Sequence, residues 1–135
     1  MPPNARGLSL GVAAGVVGAL ANTGALWVLG TSGALRALDV SLAPALTPAW
    51  LYPRVVWGGL WGLLFLLPLA PQRWVAQGLT LSLFPSAVQL FVIFPYRTGA
   101  GVLGLEHGAL TPLVVLAANA AWGLAASAWL RATGR

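Results

Sequence analysis

The chain has no cysteine and no lysine, one histidine, His107, and two carboxylates, Asp39 and Glu106, in 135 residues. Without cysteine there is no disulfide framework, thiolate metal site or thiol nucleophile, and redox chemistry says nothing of compartment. One histidine and two acids are too few to build a metal centre, so neither a metal nor a cofactor is expected. Positive charge rests on seven arginines, at 6, 36, 54, 73, 97, 131 and 135. They stand singly, whereas a nucleic-acid surface needs a clustered basic face, so no nucleic-acid partner is expected.

What remains is apolar. Hydrophobic residues make up 59% of the chain against 7% charged, with mean hydropathy +0.84, outside the range of a water-soluble globule. By length it is one domain, 1–135. Four stretches are long and apolar enough for a hydrocarbon core of about 30 Å: residues 8–29, 50–69, 74–95 and 110–130. The first follows Arg6 like a signal peptide, but it is too long and lacks a cleavage site, so it reads as a retained span. The expected fold is all-α, an integral membrane four-helix bundle surrounded by lipid.

Between spans one and two, Leu35, Leu38 and Leu42 recur at helical spacing with Arg36 and Asp39 on another face. This predicts a short helix lying in the membrane interface, with a collapsed hydrophobic loop as the alternative. Pro44, Pro48 and Pro53 break any continuation, and Trp50 and Tyr52 read as an interfacial anchor. The tight connection at 68–73 predicts that spans two and three are antiparallel neighbours. Pro85 interrupts the third span, where Ser82 and Ser86 are placed to re-satisfy the freed carbonyl. Arg6, Arg73, Arg131 and Arg135 on one side outnumber Arg36, Arg54 and Arg97 on the other, which predicts cytoplasmic termini. The margin is narrow enough to leave dual insertion open.

Rotating each span by about 100° per residue gives each helix one face of small or polar residues. These faces carry Gly11, Gly15, Gly18 and Asn22; Arg54, Gly58 and Gly62; Gly78, Ser82, Ser86 and Gln89; and Asn119 with Gly123. In lipid, where apolar burial gives helices no drive to associate, such faces let backbones approach and amides bond across. Asn22, Gln89 and Asn119, together with Arg54, Arg97, Glu106 and His107 near the outer ends, then form either interhelical glue or an outward-facing polar vestibule. Arg54 either snorkels to the headgroups or pairs with Glu106 or an anionic ligand.

Two motifs have little specificity. Gly99-Ala100-Gly101-Val102-Leu103-Gly104 matches G-x-G-x-x-G, but without the preceding strand and later acid of a dinucleotide site it reads as a loop. Glu106-His107 has no activated nucleophile beside it, so no catalytic residue is assigned and no enzyme is expected. His107 is a candidate pH sensor or a surface histidine without a role.

The runs Ala14-Gly15-Val16-Val17-Gly18-Ala19, Arg73-Trp74-Val75-Ala76-Gln77-Gly78-Leu79 and Gln89-Leu90-Phe91-Val92-Ile93-Phe94-Pro95, with the helix from His107 to Trp122, resemble the YagU-type small bacterial inner-membrane proteins. Those proteins are longer, with larger loops. The resemblance implies a bacterial inner-membrane location and a connection with acid tolerance. The expected role is an accessory or assembly subunit of a membrane complex or homo-oligomer. The alternative is a small channel or transporter for an ion or small anionic solute.

Overall fold

The computed structural model describes residues 5–42, 47–67, 69 and 72–133. Pro44 and parts of the 68–73 connection lie outside them. Among the described residues there is no strand. The helices are α1 (Ala5–Thr31), the single turn α2 (Ala34–Ala37), α3 (Pro48–Trp61), α4 (Trp74–Val88) and α5 (Thr111–Ala132). α3 runs on into a 3-10 segment, Gly62–Leu66, and α4 into a π-helical segment, Gln89–Thr98; a second 3-10 segment, Val102–His107, precedes α5. Three helices are long and apolar enough to cross a membrane: Ala5–Thr31, Trp74–Thr98 and Thr111–Ala132.

The second expected span is divided. α3 starts where the Thr47 side chain accepts from Trp50 N at 3.3 Å and Pro48 occupies a first-turn position whose N–H has no helical partner anyway. Pro53, expected to break the chain, stays inside α3. Gly58, Gly59 and Gly62 weaken the α winding at the far end, and the chain tightens into 3-10 turns at Gly62.

The glycines also decide which helices touch. A Cβ on Gly15 would overlap Gly58 O, one on Gly62 would overlap Gly11 O, and one on Gly123 would overlap Gly78 O. α1 thus lies directly on α3, and α4 on α5, by backbone contact. Gly18 lets the Trp122 ring and carbonyl in against α1. The spatial order is α3, α1, α5, α4, each antiparallel to the next. α3 and α4 are therefore not packed along their length. They come together chiefly where the 3-10 segment meets α4, because each is drawn into its own glycine seam against the central α1–α5 pair.

The connection after α1 is not a flat amphipathic helix. α2 enters through Gly33 in the left-handed region (φ 88°), and Asp39 (φ 58°) turns the chain back. Leu35 and Val40 are buried with Leu26, Val114 and Ala118, while Leu38 is exposed. Residues 34–42 form a strap over one end of the bundle, held by Ser41 N donating to His107 O at 2.7 Å. The serines near Pro85 also differ from expectation: Ser82 Oγ donates to Leu79 O (2.7 Å) and Ser86 Oγ to Ser82 O (2.8 Å).

Substituting a side chain into the seams should separate helices. Gly15→Leu and Gly62→Leu are expected to lower stability by about 1–3 kcal/mol or more, as overpacking does. Gly24→Ala, with nothing within 4 Å of its new Cβ, should be neutral or slightly stabilising through helix propensity. Unfolding in mixed micelles measures both, and equal effects at Gly15 and Gly24 would refute the seam.

Candidate binding site

Arg54 lies on α3 one turn before Gly58, on the side facing α1, so the glycine seam holds its side chain between helices. Its Nη2 donates to Asn22 Oδ1 at 2.8 Å. Its Cζ lies 4.7 Å from the centre of the Trp50 ring, one turn earlier on the same helix, a cation–π contact. Asn22 Nδ2 donates to Asn119 Oδ1 at 2.8 Å. Asn119 Nδ2 donates to Ser86 Oγ at 3.0 Å and approaches Gln89 Oε1 at 3.5 Å. All four long helical segments thus contribute to one polar layer.

The direction of this chain is forced. A guanidinium has no acceptor, so Asn22 must turn its oxygen to Arg54. Its nitrogen then faces Asn119, which must present oxygen, and the Asn119 nitrogen is left for Ser86 and Gln89. The outcome is asymmetric: each amide oxygen already accepts one hydrogen bond, while the Gln89 amide nitrogen and part of the guanidinium make none among the described residues. Arg54 Nε is buried without an acceptor among the described residues. No acceptor for Arg54 Nη1 or for the Gln89 amide nitrogen is found among them either.

A cavity of about 110 Å³ sits on this layer. Asn22, Arg54, Gln89 and Asn119 form its floor, and one turn further along each segment stand Leu26, Trp50, Phe94 and Val115 as its walls. Three of these steps are four residues long and the fourth is five. The five-residue step is the π winding of Gln89–Thr98, which brings Phe94 over Gln89 in place of Ile93. Leu42, from the strap, reaches in from above, and Ala118 completes the apolar wall. Gly104 (φ 68°) backs Phe94 so closely that a Cβ there would meet its ring. This is the use the structure makes of the third glycine of the G-x-G-x-x-G run, and Gly99 and Gly101 likewise take positive φ in that turn.

Below the floor the bundle is closed. Trp122, on Gly18, donates Nε1–H to Gly58 O at 3.3 Å and packs on Phe65 at 5.8 Å between ring centres. Ala14, Ala19, Leu81 and Ala126 fill the same layer.

Of the seven residues expected to form a mouth, the structure brings four together on the cavity floor. The other three are elsewhere. Arg97 and Glu106 are exposed on the loop side and do not line the cavity, and Arg54 bonds Asn22, not Glu106. His107 is half-buried behind the wall: its ring meets Phe94 edge-on at 5.7 Å, and Nδ1 lies 3.4 Å from Ser41 Oγ. The expected packing glycines Gly11, Gly15, Gly18, Gly58, Gly62 and Gly123 all lie at interhelical contacts. Sequence reasoning missed the inward role of Trp50, whose four-residue spacing from Arg54 was the available signal, and those of Leu42 and Phe94.

Among the described residues no cluster of His, Asp or Glu is arranged to hold a metal. Comparison with protein-family models, curated proteins and solved structures gives no match. The resemblance to YagU-type proteins therefore gains nothing from that side.

Asn22 and Asn119 should be energetically coupled. A double-mutant cycle with Asn22→Ala and Asn119→Ala in mixed-micelle unfolding should give a coupling of about 1 kcal/mol. Asn22→Ala alone should cost about 1–3 kcal/mol by leaving the guanidinium without its acceptor. Additive effects would show that the two amides do not form one network.

Proposed function

We propose that this chain is a non-enzymatic, multi-pass integral membrane protein whose polar layer forms a one-sided vestibule for a small anionic solute. The observation that carries the reading is the pair of unengaged donors on residues lining the cavity, Arg54 Nη1 and the Gln89 amide nitrogen, in a cavity to which no carboxylate contributes. A guanidinium in a helical bundle is costly in lipid, by about 2.5–3.5 kcal/mol at mid-helix on insertion scales. One amide and a tryptophan relieve part of that cost without neutralising the charge. An anion completes the set.

Three apolar helices support the membrane placement. α3 with its 3-10 continuation supports a fourth crossing, since 14 α-helical and 5 3-10 residues span roughly 30 Å. With the termini cytoplasmic, as the arginine distribution favours, the cavity opens outward, in a bacterial inner membrane. The closed layer of Trp122, Phe65 and the glycine seams speaks against a pore through one chain. It favours an accessory or assembly subunit that binds its ligand within a homo-oligomer or larger complex. The exposed Val56, Trp57 and Leu60 of α3 offer an apolar face to lipid or to such a partner.

Anion binding to the purified protein should be saturable, visible as a change in Trp50 emission because that ring rests on the guanidinium. Arg54→Gln should weaken it at least tenfold, on the order of the 1.4 kcal/mol or more lost with one charged contact. Reconstituted single chains should pass neither anions, cations nor protons. Rapid flux through a monomer would overturn the subunit reading in favour of a channel.

A further inference from the structure

The cavity is polar at one end and apolar at the other, and the order of the two ends restricts the ligand. We propose that the vestibule is specific for short-chain monocarboxylates, small anions carrying an apolar body of about two to three carbons; this rests on the anion-binding reading above.

Three observations carry the proposal. The floor presents Arg54 Nη1 and the unengaged Gln89 amide nitrogen, one donor for each oxygen of a single carboxylate, while Arg54 Nη2 is held by Asn22. The walls further out are Leu26, Val115 and Phe94, with Ala118 beside the floor and Leu42 above, none of them carrying a polar side-chain atom; Trp50 adds one indole N–H and lays its ring over the guanidinium. A hydrated inorganic anion would lose its water against those walls for no return, and a sugar or nucleotide would find too few partners for its hydroxyls. The volume sets the length. A cavity of about 150 Å³ accommodates the six carbons of benzene, so 110 Å³ suits about four or five non-hydrogen atoms, the size of propionate.

The same geometry argues against a bilayer lipid as the source of the anion. A lipid in the outer leaflet holds its phosphate at the surface and its chains toward the midplane. Here the cation lies deeper than the apolar walls: Asn22 is inward of Leu26 on α1, and Arg54 inward of Trp50 on α3. A lipid would have to enter upside down. A small carboxylate arriving from water enters charge first and closes the apolar section behind it.

The test is a calorimetric titration of the full chain in nanodiscs of neutral lipid with chloride, phosphate, acetate, propionate, butyrate, hexanoate and propionamide. Propionate should bind about fourfold more tightly than acetate, the value of one buried methylene. Hexanoate should gain nothing over butyrate, and neutral propionamide should not bind. Ala118→Leu, which fills the apolar section, should erase the preference for propionate over acetate. Chloride or phosphate binding as tightly as propionate would overturn the carboxylate assignment and leave the vestibule reading intact. Binding of an anionic lipid added to the nanodisc, which soluble carboxylates fail to displace, would also overturn it. If no anion of any kind binds, the vestibule reading falls together with this one.

Discussion

A guanidinium can donate hydrogen bonds but not accept them, and the interior of this protein is arranged around that constraint. Because Arg54 is placed between helices, Asn22 is fixed in one orientation, and through it Asn119. Asn22 cannot flip without losing its bond to a charge, and Asn119 cannot flip without losing its bond to Asn22. Unlike the mutually exchangeable amide pairs that join many membrane helices, this layer has a sense, running from cation to Gln89. The groups on it that make no hydrogen bond among the described residues are donors, Arg54 Nη1 and the Gln89 amide nitrogen included.

The glycine seams give that layer its position. Backbone contact along α1–α3 and α4–α5 leaves little room for the inner half to rearrange, and Trp122 seals it. The flanking helices α3 and α4 converge near the 3-10 segment and part toward the other end, so the free volume accumulates on the side where the polar residues lie. Close packing and the cavity are thus segregated along the helix axis. The π segment belongs to the same division: it leaves α4 regular where it meets the seam and changes pitch from Gln89, where the cavity begins. π windings in α-helices are rare and frequently occur at functional sites.

The parts of this arrangement that were legible in the sequence are those that depend on helix periodicity alone. A rotation of 100° per residue places Asn22 with Gly15 and Gly18, and Arg54 with Gly58 and Gly62, and these are the faces that meet. Counting along the helices sets Arg54 at the outer ends with Arg97, Glu106 and His107, whereas it lies level with Asn22, to which it bonds. Periodicity failed where winding or direction changes. The five-residue step from Gln89 to Phe94, the unwinding at Gly62 and the reversal at Asp39 depend on tertiary contacts. Arg97, Glu106 and His107 were grouped with Arg54 because they share an end of the bundle, but an end is wide, and loop course decided that none of them lines the cavity. The short 68–73 link predicts α3 and α4 as antiparallel neighbours; they are antiparallel and meet at the 3-10 segment, while the glycines bind each along its length to a different partner.

The seam between α1 and α3 has a consequence for how the protein is made. A helix carrying an arginine and only 14 α-helical residues is a poor candidate to enter lipid by itself. In this chain the helix that supplies its hydrogen-bond acceptor and its docking groove is α1, which is synthesised before α3. Asn22 is therefore already available when Arg54 emerges, whereas Asn119 and Ser86 are synthesised only afterwards. The order of residues along the gene thus places the acceptor ahead of the charge, and the polar layer can be assembled one contact at a time.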